Sequence, residues 1–282
     1  YENLLFKSVT SVSPSVSDKI AVNGNLVFDT TKDMSFAGNV NVTGNVDVDN
    51  TGNLSFAGVV SVTGTSDINS GTGKKISFGN TSDTFGNISL GNVDLTVSAT
   101  LTKPVTVYGN ANLDAAFSTS SDLTVEKSGV LDTKNYALSF GNLKINKNGT
   151  EEGTLTAGSS TITVSGNWND ETDSGFDSGT GKVIFSGSTI SVKEKSAFNI
   201  VETSSSSITL QNALTVNSTF TYENALSVVG DYNVTFKDAV SSKNTAKDLS
   251  FTGSGTVTFE KTLDNAENVA ISGNAVFKDN VG

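Results

Sequence analysis

The strongest constraint on this chain is a repeat that keeps its parity. Met34-Ser35-Phe36-Ala37-Gly38-Asn39-Val40-Asn41-Val42-Thr43-Gly44 recurs as Leu54-Ser55-Phe56-Ala57-Gly58-Val59-Val60-Ser61-Val62-Thr63-Gly64, an offset of 20 residues with 8 of 11 positions identical. From Met34 to Asp49 the even positions are Met34, Phe36, Gly38, Val40, Val42, Gly44, Val46 and Val48, and the odd ones are mainly Ser, Asn, Thr and Asp. A period of two marks a strand with one buried and one wet face. Because 20 is even, Leu54, Phe56, Val60 and Val62 fall on the same parity, so like residues stack when one unit is laid on the next. A unit of about 22 residues cannot bury its own apolar face, and such units stabilise one another by stacking into a solenoid.

Looser copies of the apolar-x-apolar unit begin at Ile76, Ile88, Leu138, Ile162, Val183, Ile208, Leu226, Leu249 and Val269. Between them, Gly, Asn and Asp punctuate the chain, as in Val22-Asn23-Gly24-Asn25 and Asn146-Lys147-Asn148-Gly149. These residue types tolerate positive φ and close turns. No stretch shows a sustained 3.6-residue apolar period, so helices should be nearly absent. The pattern therefore predicts an all-β chain folded as a parallel β-helix. Residues 1–282 should form one solenoid of ~12 to 13 coils, a rod some 60 Å long at ~4.8 Å per coil. Repeats between residues 91 and 136 are less regular, which predicts irregular coils or a protruding loop there. A string of immunoglobulin-like sandwiches would bring Pro-bearing linkers and anchoring aromatics, yet the chain has 2 Pro and 1 Trp. A membrane barrel would need aromatic girdles on its lipid-facing side, where this chain has Ser, Thr, Asn, Asp and Lys.

Composition narrows the chemistry. The chain has no Cys and no His, and all 18 basic residues are Lys. That removes disulfides, thiolate and imidazole nucleophile relays, and ordinary zinc, haem or iron-sulfur ligation. A formal net charge of -11 without an Arg fork argues against nucleic acid and anionic membrane surfaces as partners. No run approaches the ~18 apolar residues of a membrane span, so membrane insertion of this segment is not expected. The chain starts at Tyr1-Glu2-Asn3 and ends within a repeat-like run, Ala275-Val276-Phe277-Lys278, which reads as a piece of a longer protein.

One unit is distinctive. Gly166-Asn167-Trp168-Asn169, followed by Gly175-Phe176-Asp177-Ser178-Gly179-Thr180-Gly181-Lys182-Val183-Ile184-Phe185-Ser186-Gly187, resembles the repeat unit of large bacterial β-strand-repeat surface proteins, akin to autotransporter passengers and filamentous-haemagglutinin-like adhesins. The resemblance implies a right-handed parallel β-helix exported to the bacterial cell surface, with a structural or adhesive role. Its expected partners are other surface proteins, ligands on host or neighbouring cells, or glycans. Two other roles compete: a surface-layer or sheath protein that self-associates, and a carbohydrate-binding or carbohydrate-cleaving β-helix. Paired carboxylates suffice for glycoside hydrolysis. No such pair sits beside an aromatic-rich, non-repetitive stretch, so the chain reads as a non-enzyme.

Two acidic groups are candidate sites. Asp47-Val48-Asp49-Asn50-Thr51-Gly52 has the D-x-D-x-x-G start of a calcium loop, in which alternate carboxylates converge on a hard cation. The twelfth position is Gly58, not Glu, and a turn between coils is the competing reading. Asp170, Glu171 and Asp173, with Asp177, form the second group; carboxylates this close repel unless hydrated or bound to a cation. Calcium is the one cofactor they could hold, and no other is expected. Trp168, just before them, could serve as a stacking platform for a sugar ring, and Tyr108, Tyr136, Tyr222 and Tyr232 could line a sugar groove.

Overall fold

A computed structural model describes residues 1–7, 15–49 and 51–279. Asn50, at the centre of the Asp47 to Gly52 segment, lies outside the described residues. The chain is all-β, with no helix among the described residues, and its strands stack in parallel into a β-solenoid of about 13 turns.

Each coil passes along up to three faces. Sheet I holds fourteen strands in chain order, from Leu4–Lys7 to Ala266–Ile271, and runs unbroken along the solenoid. Sheet II begins as nine strands from Ser15–Val16 to Phe176–Asp177 and resumes as four from Leu214–Val216 to Asn274–Phe277. Sheet III has three strands at the start, Ile20–Val22, Val40–Val42 and Val60–Val62, and eight more from Phe117–Ser118 to Leu263–Asp264. Isolated bridges of Thr84 to Ser61, Leu101 to Thr119 and Phe198 to Val216 carry faces across the gaps.

The 20-residue repeat becomes a register. Met34 pairs with Leu54 and Phe36 with Phe56, and Ile76 and Phe78 take the next rung. Side chains of one parity point inward, so this register builds columns of identical chemistry through the core. Phe36, Phe56 and Phe78 stack with centroids 4.8 and 5.0 Å apart and planes within 10° of parallel. Such pairs add ~0.5–1.5 kcal/mol each to the area they bury. Near the other end Phe236, Phe259 and Phe277 form a second column, which Phe220 of sheet III meets from the side.

Corners are held by backbone contact and by asparagine. A Cβ on Gly44 would lie 2.4 Å from the Gly24 carbonyl oxygen, and one on Gly86 would lie 2.1 Å from that of Gly64. The coils approach so closely there that only glycine fits. Beside this column Asn3 Oδ1 accepts the Asn25 amide proton, Asn25 Oδ1 that of Asn45, and Asn45 Oδ1 that of Thr65, at 2.8, 2.9 and 2.9 Å. A recurring Gly-Asn in the sequence is thus a corner in which each part satisfies the coil next to it.

Coil length varies. Ile88 pairs with Val105, 17 residues on, and Val105 with Leu123, 18 on; Leu143 pairs with Trp168, 25 on. Residues 91–136 supply regular strands, from Val93–Val97 to Val130–Asp132, in the shortest of these coils. The chain leaves the coil later. Lys147–Asn148 pairs with Glu151–Glu152, the one antiparallel pair among the described residues, through a turn with Gly149 at φ +63°.

Candidate functional site

The acidic segment after Trp168 is divided by strand parity. Trp168–Asp170 is a sheet I strand, so Trp168 and Asp170 point inward and Asn169 outward. Trp168 is 1% exposed, packs against Phe176 and Phe198 at 4.7 and 5.2 Å, and donates its indole N–H to Glu194 Oε2 at 2.8 Å. This overturns its expected use as a sugar platform, because the ring fills the core and has no free face. Tyr222 is likewise buried, whereas Tyr108, Tyr136 and Tyr232 remain exposed on the surface.

The four carboxylates go four ways. Asp170 is 1% exposed, and its Oδ1 accepts the Thr172 amide at 2.8 Å and the Thr172 hydroxyl at 2.6 Å. Glu171 points outward and pairs with Lys193 on the next coil. Asp173 sits between Lys147 of the hairpin and Lys195, whose ammonium groups hold its carboxyl down to about 2. Asp177 accepts the Gly179 amide at 3.1 Å across its own turn. Among the described residues no three ligand side chains are placed to share a metal ion.

Glu194, which follows the strand Thr189–Lys193, was not singled out in the sequence. It is 2% exposed; its Oε1 accepts the Lys195 and Ser196 amides at 2.9 and 2.7 Å. Burial, reinforced by the Asp170 charge, pushes its carboxyl up to about 8, and burial also pushes Asp170 up. Parity was the available signal: Ile190 and Val192 are inward, so Glu194 is as well.

At the other end, sheet I carries the first acidic group on its outer side. Asp47 lies beside Asp67 on the next rung, Asp49 beside Asn69, and Val27 flanks Asp47 on the rung before. Tyr108 donates its hydroxyl to Asp67 Oδ1 at 2.6 Å. Asp47, Asp67 and Val27, with Asn25, Asn45 and Thr65, line a shallow groove of about 290 Å³. Partial burial, then the charges of Asp67, Asp49 and Asp29, raise the Asp47 carboxyl above its ordinary value. A raised folded-state value means stability that is complete at low pH and is lost as pH rises through that value. At neutral pH, therefore, Asp47→Asn should raise the melting temperature slightly, and added salt should shrink the gain by screening the ladder. Thermal melts at low and high salt, with calcium and with chelator, check this. A loss of stability in the variant, or calcium stabilisation that only the unaltered chain shows, would assign the ladder to a bound cation instead.

Residues 23–90 match a family of repeats of unknown function (DUF5649), over the stretch that holds the 20-residue copies and the Gly24 to Gly86 corners. No curated protein and no solved structure matches the chain.

Proposed function

We propose that this chain is a non-catalytic structural rod displayed on a bacterial cell surface, with adhesive contacts along its sheet I face. The observation that supports this reading is the unbroken fourteen-strand sheet, whose outer residues present polar groups rung after rung. Asp47, Asp67, Ser89, Thr106, Thr124 and Lys144 form one such row, each paired with the next across the coils. Groups repeated at ~4.8 Å along a rigid surface offer many weak hydrogen bonds at once, and such contacts gain strength through multivalency. Hydroxyl-rich partners, such as glycans or the polar surfaces of other cell-surface proteins, match that chemistry. The earlier resemblance to bacterial surface repeats points the same way.

Beads coated with the chain test the reading on glycan arrays and on cell monolayers. Retention should exceed that of beads coated with an unrelated acidic protein. It should fall several-fold in a Thr106→Lys, Thr124→Lys double variant, whose outward positions leave the core intact. Retention equal to the control on every surface defeats adhesion. Growth of ordered sheets or filaments with concentration, followed by scattering, would favour self-assembly in its place.

A further inference from the structure

We propose that Asp170 and Glu194 share one proton inside the solenoid, and that this proton is a pH-sensitive lock between two successive coils. The register carries the argument. Asn169 pairs with Lys193, so the next inward positions, Asp170 and Glu194, stand on adjacent rungs of a parallel sheet, ~4.8 Å apart along the solenoid. On the rung before, the inward position is Ile145. Two carboxylates stacked in this way, 1% and 2% exposed, cannot both be ionised without a severe desolvation and repulsion penalty.

The hydrogen bonds show where the proton goes. Asp170 Oδ1 and both Glu194 oxygens already receive donors from Thr172, Lys195, Ser196 and Trp168. Asp170 Oδ2 is buried and receives no hydrogen bond, and Glu194 is the inward group on the next rung. A proton held between them completes the set.

The neighbouring charged groups do not replace that proton. Glu152 of the hairpin adds negative charge near Asp170. Lys147 is engaged by Glu152 and Asp173, Lys195 by Asp173, Lys193 by Glu171, and Lys182 of sheet III by Glu202. Lys144 lies on the outer side of its strand, and Asp177 is exposed in its turn. Phe176 and Phe185 close the core around Trp168 with no titratable group.

The sign follows from linkage. Between the ordinary Glu value near 4.5 and the folded value of about 8, the folded chain holds a proton that the unfolded chain has released. Stability from the lock is thus full in acid and is lost as pH rises through about 8. Asp173, held low by its lysines, acts in the opposite direction and only at much lower pH.

Trp168 is the only tryptophan and donates to Glu194, so its emission reads the lock directly. In the folded full chain, emission should titrate with a midpoint of about 8. The melting temperature should fall by roughly 5 °C between pH 5.5 and 9, a shift on the scale expected for a chain of this size. Glu194→Gln removes the titrating carboxyl and should abolish both changes. Some stability should be lost at every pH, because its one carbonyl oxygen can serve the indole or the Lys195 and Ser196 amides but not both. Asp170→Asn keeps Glu194 but removes the neighbouring charge, and should move the emission midpoint to lower pH. Emission that is flat from pH 5 to 9.5 in the unaltered chain, or a midpoint that Asp170→Asn leaves in place, overturns the proposal.

Discussion

Phe56→Asp should unfold the N-terminal coils of the solenoid. Phe56 is 3% exposed, stacks between Phe36 and Phe78, and meets Phe28 edge-on at 5.9 Å. Loss of a buried Phe side chain alone costs about 3–5 kcal/mol. A carboxylate left in the same place adds several kcal/mol more, because the rings of Phe28, Phe36 and Phe78 around it offer no hydrogen bond or countercharge. The total rivals the ~5–15 kcal/mol by which a whole domain is stable. Coils in a solenoid are coupled to their neighbours, so the damage should spread along the stack while distant coils survive. Hydrogen exchange should show lost protection from about residue 26 to 97 and retained protection in the coils after Trp168. Phe56→Leu, which keeps volume and apolarity, should cost far less. An Asp variant that melts like the unaltered chain would mean that the inward register has been misassigned.

Trp168→Ala should produce the second large loss, and for two separable reasons. The indole lies among Phe140, Phe176, Phe185 and Phe198, and its removal opens a cavity worth about 3–5 kcal/mol. It also strips Glu194 Oε2 of its donor, which costs about 1–3 kcal/mol more for a buried group. Trp168→Phe refills most of the cavity without restoring the donor, so it should recover the larger part of the loss. Urea unfolding followed by circular dichroism separates the two variants. Equal midpoints for Ala and Phe would show that the hydrogen bond, not packing, dominates at this position.

Both effects rest on a parity that can be read residue by residue along the chain. Alternation in a strand is local: Met34, Phe36, Leu54 and Phe56 go inward wherever the strand lies, because successive side chains leave the pleat on opposite sides. The Gly-Asn corners are local as well, since close backbone approach excludes a Cβ and the following amide can bind one coil on. Parity also marks Trp168 as inward, and the reading of it as an exposed platform gave its place beside a polar turn too much weight.

Which strand sits on which is not local. An apolar-x-apolar unit marks strands on all three faces, so the looser copies were mixed: Leu138, Ile162 and Val183 share sheet III, while Ile208 and Leu226 share sheet I but stand out of register, with Ile208 paired to Val228. Coils of 17 to 25 residues close at the same place only when their inward side chains fill a common core. That condition is met by the stack as a whole, and it alone brings Glu194 onto Asp170, whereas Asp67 over Asp47 follows from the 20-residue offset. Sequence alone determined the repeating β unit, its inward side and its corners, because each depends on neighbours along the chain. The tertiary structure decided face, the register of the coils outside the 20-residue copies and the carboxylate pair, because each depends on the closure of a coil against the next.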